Sequence, residues 1–183
     1  MIEYNRLQEI EEAKKWFGNM LYMASLGYNK CVHPESRKRI REAMTPILQK
    51  YGDVIGATEV SAGVADLFYK KGVDINELGT SCTNRNMLGQ TEDKKSLLLF
   101  EHATPNRVMR DLILENREDT NKILEENYVV SWITREEDAR LNEAGLRSSV
   151  PCGGTWQDRY AAANIEMAFF RLTYENNWNT YNI

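Results

Sequence analysis

Apolar residues recur at steps of three and four over residues 5–26, the spacing that places side chains on one face of an α-helix. The recurring residues are Leu7, Ile10, Ala13, Phe17, Met20, Leu21 and Ala24. The pattern predicts an amphipathic helix. We expect it to end at Gly27, because glycine is favoured just beyond the last turn of a helix.

Two further helices are predicted in the N-terminal part of the chain. The first begins at Pro34, a residue suited to the first helical position, and closes at Gly52. Pro46 lies inside this pattern and lacks a backbone donor, so a kink or a restart of the helix is expected there. The second helix spans residues 58–71 and ends at Gly72.

Two apolar runs have the length of buried strands, at residues 96–101 and 128–133. The second run leads directly into a helix. Thr134 is suited to its N-cap, and Glu137 follows three residues later, which is the spacing of a capping box. Gly145 is expected to end this helix.

The remaining elements are shorter. Thr104 is predicted to cap a helix that opens at Pro105, by the same preferences for cap and first position. Short helices are also predicted at residues 118–126 and 156–163. Residues 165–174 fit either a strand or a helix, because their aromatic residues favour the first and their other residues permit the second.

Together these elements predict an α+β fold, a helix-rich single domain over residues 1–183. A helical N-terminal part takes residues 1–78, and a mixed α/β part with a small sheet takes residues 95–183. A long polar loop at residues 79–95 joins the two parts.

Long loops inside compact domains are often binding elements, although a mobile connector remains the alternative. Asn84, Arg85 and Asn86 carry the hydrogen-bonding and charged groups near the middle of this loop. We take these three residues as candidate binding residues.

The net charge of −4 argues against a protein that coats nucleic acid, since phosphate binding requires a strong positive field. A local basic patch on an acidic body is still compatible with it. Acidic proteins are also suited to occupy the basic grooves of nucleic-acid enzymes.

The strongest charge feature is a basic run in the second helix. On a helix Arg37 and Arg41 share a face, with Lys38 beside them, and this face can bind a phosphate backbone or an acidic partner. These three are the second set of candidate binding residues. The alternative is an ordinary solvated helix face.

Three cysteines lie far apart, which is not the spacing of a disulfide scaffold and is typical of a reducing compartment. The Cys31-x-His33 pair resembles half of a zinc site, which Cys82, His102 and Cys152 would complete. Zinc ligands usually come as tight pairs, whereas buried cysteines commonly act as small apolar residues. We therefore expect no metal and no cofactor.

Glu101 and His102 end the first predicted strand, where open α/β proteins place their sites. In an enzyme, His102 would be the general base and Glu101 the residue that orients it. A histidine with a purely structural role is the alternative. The acidic run of Glu136, Glu137 and Asp138 invites a metal-nuclease interpretation, but a capping box and helix-dipole preferences also account for it.

Two blocks resemble segments in a family of small bacterial and phage proteins. The blocks are EHATP at residues 101–105 and TREEDARL at residues 134–141, followed by GLRS at residues 145–148. The resemblance covers about residues 95–165, and the family is that of anti-CRISPR proteins, which block a type II CRISPR effector nuclease. It implies a stoichiometric binder that also touches DNA, and it carries over no active site.

The leading hypothesis is accordingly a phage-type inhibitor, a binder rather than an enzyme. Its expected partners are a CRISPR effector nuclease, a ribonucleoprotein, and double-stranded DNA, in the cytoplasm of a bacterial host cell. No signal peptide or membrane span is expected from the hydropathy. Two alternatives remain, a metal-dependent or restriction-like nucleic-acid hydrolase and a DNA-binding module.

Overall fold

The computed structural model describes residues 6–172, and over that range the chain has an α+β fold, as the sequence predicts. In chain order the elements are α1 (Arg6–Lys30), α2 (Pro34–Ile55), β1 (Glu59–Ser61), α3 (Ala62–Lys71), β2 (Leu98–His102), α4 (Asn106–Glu115), α5 (Thr120–Asn127), β3 (Val130–Thr134), α6 (Arg135–Glu143), α7 (Trp156–Ala162) and β4 (Met167–Arg171). Short 3-10 helices occur at Ile75–Glu77, Cys82–Asn86 and Arg117–Asp119.

The chain divides into two compact units. The helical unit consists of residues 6–55 and 104–128, and the mixed unit consists of residues 56–103 and 129–172, as far as the described residues extend. Helices α4 and α5 therefore belong with α1 and α2, although they follow β2 in the sequence.

Both long helices continue beyond the glycines predicted to end them. Helix α1 runs through Gly27, and the amide of Cys31 still donates to the Gly27 carbonyl at 3.0 Å. Helix α2 runs through Pro46 and Gly52 without a restart and is followed by Gly56, whose φ is +69°. The predicted ends were wrong because packing of a helix face outweighs the local preference of one glycine.

The buried face of α2 shows this directly. Met44, Leu48, Tyr51 and Ile55 are buried and lie at helical steps on both sides of Pro46. Tyr128 closes this part of the core, with its hydroxyl 2.5 Å from the Leu48 carbonyl oxygen and its ring edge-to-face with Tyr51. One missing amide donor therefore does not divide the helix.

The predicted cap of α4 was also wrong. The Thr104 hydroxyl donates to the Asn127 carbonyl at 2.5 Å and does not cap the helix, and Pro105 occupies the N-cap position without a side-chain bond. Thr104 instead fastens the start of α4 to the end of α5.

The mixed unit is built on a four-stranded sheet in the order β2-β3-β1-β4. Strand β3 pairs antiparallel with β2 and parallel with β1, and β4 is antiparallel to β1. β1 replaces the first part of the helix predicted at residues 58–71. Three residues are too few to show a strand period, and β1 forms because Glu59 and Val60 pair with β3.

The other predicted helix caps and terminating glycines are confirmed. Thr134 and Glu137 form the capping box of α6, Gly145 follows that helix with φ +70°, and Gly72 ends α3 with φ +66°. The ambiguous segment at 165–174 contains a strand, β4, up to residue 171. Its last two residues lie outside the described part of the chain.

Successive residues of β2 and β3 alternate between the two faces of the sheet. One face carries Phe100 paired with Trp132, and the opposite face carries Glu101 paired with Ser131. This second face also carries Ile133, which belongs to a buried cluster with Ala103, Leu141, Tyr160, Ala163 and Ile165. The two faces thus separate the candidate residues Glu101 and His102.

Candidate functional site

The basic run opens helix α2 and is exposed. Arg37, Lys38 and Arg39 are all exposed, and Arg41 is half-buried. The Nε of Arg37 donates to the Cys31 carbonyl at 2.5 Å, and its guanidinium lies 5.7 Å from the centre of the Tyr28 ring. Arg37 is therefore in contact with two groups at the surface, and a side chain positioned in this way loses less entropy when it binds a ligand.

Arg41 differs from its neighbours because its charge is compensated. One of its terminal nitrogens, Nη2, lies 2.7 Å from Asp111 Oδ1, which also accepts a bond from Arg110 Nε at 3.1 Å. At 100° per residue Arg37 and Arg41 lie about 40° apart on α2 with Lys38 about 60° from Arg41, whereas Arg39 lies about 160° from both arginines. The basic face thus presents Arg37 and Lys38, with Arg41 beside them in an ion pair.

The polar loop, residues 79–95, belongs to the mixed unit and contains the short 3-10 helix Cys82–Asn86. Its start is fixed by Trp132, whose Nε1 donates to the Gly79 carbonyl at 3.0 Å, and by the Ala57 amide, which donates to the Thr80 carbonyl at 2.8 Å. Leu88 is buried. These contacts attach the start of the segment to the sheet of the mixed unit.

Two of the three loop candidates are engaged inside the loop. The side-chain amide nitrogen of Asn84, Nδ2, donates to the Leu78 carbonyl at 2.6 Å. Asn86 Oδ1 accepts a bond from Ser96 Oγ and another from Gln90 Nε2 at 3.4 Å. Arg85 is exposed between them. The two asparagines therefore shape the loop, and Arg85 presents a charge at its surface.

Glu101 is engaged by an arginine that the sequence did not reveal as a partner. Arg159 Nη1 and Nη2 donate to the two carboxylate oxygens at 3.1 and 2.9 Å, and Arg159 is only 1% exposed. Its other donors reach backbone carbonyls, with Nε 2.8 Å from the Leu146 oxygen and Nη1 2.9 Å from the Ala103 oxygen. The arginine therefore joins β2, the loop before α7, and α7 itself.

A tyrosine and a serine extend this network. Burial raises the pKa of the Tyr160 phenol well above its ordinary value, and the nearby Glu101 carboxylate adds to the rise. The phenol is therefore protonated at neutral pH and donates to Glu101 Oε2 at 2.7 Å. Ser131 Oγ lies 2.5 Å from the phenol oxygen. Because the phenol proton is already donated to Glu101, Ser131 is the donor in this second bond.

Burial also raises the pKa of the Glu101 carboxyl above its ordinary value, although the bonds from Arg159 and Tyr160 and the charge of Arg159 oppose the rise. His102 lies on the other face of the sheet, with its ring edge-to-face with Phe100 at 6.4 Å between centres. Glu101 is thus directed to Arg159 and away from the position in which it would orient His102.

Sequence reasoning missed Arg159 and Tyr160, although one signal was present. Arg159 stands three residues after Trp156 and four before Ala163, so it lies on the apolar side of a helix. An arginine at such a position requires a buried acceptor. Glu101, at the end of an apolar strand, is the matching carboxylate.

The residues of the acidic run at 136–138 also differ in their exposure to solvent. Glu137 is buried, and its Oε2 accepts bonds from Ser61 Oγ at 2.6 Å and from the Thr134 amide at 2.7 Å. Glu136 is exposed. Among residues 6–172, no group of three or more histidine, cysteine or acidic side chains is placed to hold a metal ion.

Similarity to known proteins gives no further guidance. No protein-family model matches the chain, and no curated protein or solved structure shows significant similarity to it. Within the described part of the chain, no helix combines the length and the apolar character that crossing a membrane requires.

Proposed function

We propose that this chain is a stoichiometric inhibitor of a CRISPR effector nuclease, which it engages by binding, without catalysis. In this proposal the basic face of α2, with Arg37 and Lys38, contacts the phosphate backbone of DNA held by the effector. The acidic remainder of the chain faces the positively charged channels that such nucleases expose.

The observation that carries the proposal is the placement of Arg37. It is exposed, it is fixed by the Cys31 carbonyl and the Tyr28 ring, and it stands beside exposed Lys38 at the start of a helix. A positioned arginine beside a lysine suits phosphate, because both groups donate to its oxygens and neutralise its charge. A solvated helix face does not require an arginine held in this way.

The network around Glu101 gives the hydrolase alternative no support. In that alternative Glu101 would orient His102 as the general base, whereas both oxygens of Glu101 accept bonds from Arg159 and His102 lies on the other face of the sheet. Arg159 makes Glu101 a structural carboxylate in the same way that Ser61 and the capping box make Glu137 one.

The test is a DNA-cleavage assay in which the purified chain is titrated against a type II effector bound to its guide. We expect inhibition that saturates near one chain per effector. Lys38→Ala and Arg37→Ala should each weaken inhibition about three- to tenfold through the lost phosphate contact. Arg39→Ala is the matched control, since it removes the same charge from another part of the same helix.

Two results would overturn the proposal. The first is undiminished cleavage at molar excess across several type II effectors. The second is salt-dependent binding to random duplex DNA with no inhibition, which would assign the basic face to a DNA-binding module instead.

A further inference from the structure

Helix α1 carries an apolar stripe that the fold leaves uncovered. Trp16 and Met23 are 68% and 64% exposed, and Met20, which lies between them, is 37% exposed. Their spacing of four and three residues places them on one face of the helix. Together with Asn19 of α1 and Ile47 of α2, these three residues line an open groove of about 410 Å³.

The same face continues toward both ends of α1 with charged residues. Counting back from Trp16 at steps of four and three reaches Glu12 and Glu9, and counting forward from Met23 reaches Gly27 and Lys30. One face of a single helix is therefore acidic at its N-terminal end, apolar at its centre and basic at its C-terminal end. This order is self-complementary when the face meets a copy of itself running in the opposite direction.

We infer that α1 pairs with α1 of a second copy of this chain in an antiparallel arrangement, with the two-fold axis between Asn19 and Met20. This register places Trp16 opposite Met23 of the second copy, and Glu9 opposite its Lys30. Glu12 lies opposite Gly27, whose missing side chain leaves room for the longer one. The inference is independent of the proposed inhibitor function.

The symmetry makes each of these contacts occur twice. A tryptophan ring packs well on a methionine side chain, since sulfur is polarizable and contacts aromatic rings favourably. A parallel pair would instead set Glu9 against Glu9 and Lys30 against Lys30, and like charges in contact oppose association. Charge complementarity therefore selects a second, antiparallel copy as the occupant of the stripe.

Sedimentation of the full-length chain, over about three orders of magnitude in concentration, tests the pairing. We expect the weight-average mass to rise toward that of two chains. Met23→Glu should hold the protein at the mass of one chain, because it sets a carboxylate against Trp16. Tyr69→Glu is the matched control. Tyr69 is 85% exposed on α3, and its replacement should leave association unchanged.

Charge reversal tests the direction of the pair. Lys30→Glu should weaken association about fivefold, because it faces Glu9 in an antiparallel pair, and Glu9→Lys combined with Lys30→Glu should restore it. In a parallel pair residue 9 faces residue 9 and residue 30 faces residue 30, so like charges would meet in every variant and neither change would alter association. A mass of one chain at every concentration, association that survives Met23→Glu, or a double variant that fails to recover would each overturn the inference.

Discussion

Arg159 donates to both carboxylate oxygens of Glu101, a residue 58 positions earlier in the chain. The pair is held on the side of the sheet where Ser131 and Tyr160 also meet. Removing one member of a buried ion pair costs more than the pair contributes, because the remaining charge loses its partner. The Glu101–Arg159 pair therefore offers the sharpest tests of the mixed unit.

Arg159→Met removes the guanidinium and keeps most of the side-chain volume. It removes the arginine donor from the Ala103 and Leu146 carbonyls and leaves the Glu101 carboxylate with the Tyr160 phenol but without its positive partner. We expect the free energy of unfolding to fall by about 3 kcal/mol, at the low end for buried pairs because Glu101 is 16% exposed. Urea unfolding measures this change.

The double variant Arg159→Met with Glu101→Leu is the control. Replacing both charges removes the unpaired carboxylate, so it should lose less than the sum of the two single variants. A loss below about 1 kcal/mol for Arg159→Met would mean that the pair does not hold the unit together.

The pH dependence of stability should show the raised pKa of the Glu101 carboxyl. In the folded state this group keeps its proton to a higher pH than in the unfolded state, so its contribution is greatest below pH 4.5 and falls as the pH rises through the folded pKa. Glu101→Gln cannot titrate. The stability of the wild type minus that of Glu101→Gln should therefore decrease as the pH rises from 4.5 through the folded pKa of Glu101.

The subtraction cancels the titration of the other carboxylates that both proteins share. A difference that increases with pH over the same range would contradict the prediction. It would mean that Arg159 and Tyr160 lower the pKa of Glu101 by more than burial raises it.

The close approach of Gly63 in helix α3 to the Glu137 carboxylate offers a second test of the mixed unit. A Cβ atom on Gly63 would lie 2.6 Å from Glu137 Oε1, while Glu137 is held by Ser61 and by the Thr134 amide. We expect Gly63→Ala to lower the free energy of unfolding by about 1–3 kcal/mol, because the buried carboxylate has to shift from its partners. Thermal and urea unfolding both measure this.

A double-mutant cycle distinguishes this contact from a general effect on helix α3. In a Glu137→Ala background the space is open, so Gly63→Ala should become nearly neutral, or stabilising through its better helix propensity. The same cost in both backgrounds would show that the contact with Glu137 is not responsible.

The parts of the fold that the sequence predicted correctly depend on neighbouring residues. The capping box of Thr134 and Glu137 spans three residues, and Gly72 ends α3 through its own left-handed conformation. Such signals act within one helical turn, and a local pattern is enough to find them.

The parts that the sequence did not predict depend on distant ones. Strand β1 exists because Glu59 and Val60 pair with residues of β3 some seventy positions later. Arg159 was overlooked because its partner lies in another element, and α2 passes Gly52 because its buried face continues to Ile55. Patterns along the chain identify faces and caps, but they do not identify which distant residue meets them.

Asp111 provides a test of the basic face by gain rather than loss of binding. Its carboxylate pairs with Arg41 and Arg110, so it cancels positive charge next to Arg37 and Lys38. Asp111→Asn should release that charge, strengthen binding to duplex DNA and make the salt dependence of binding steeper by about one to two units in the log–log slope. Fluorescence anisotropy with labelled duplex at several salt concentrations measures both quantities.

The matched control is Asp66→Asn, which removes an exposed carboxylate from its ion pair with Lys70 in the mixed unit. It changes the net charge equally and should leave the salt slope unchanged. Exposed ion pairs contribute about 0–1 kcal/mol, so both variants should remain folded. Equal gains from both would attribute the effect to net charge alone, whereas a gain confined to Asp111→Asn places the DNA contact on the face formed by Arg37, Lys38 and Arg41.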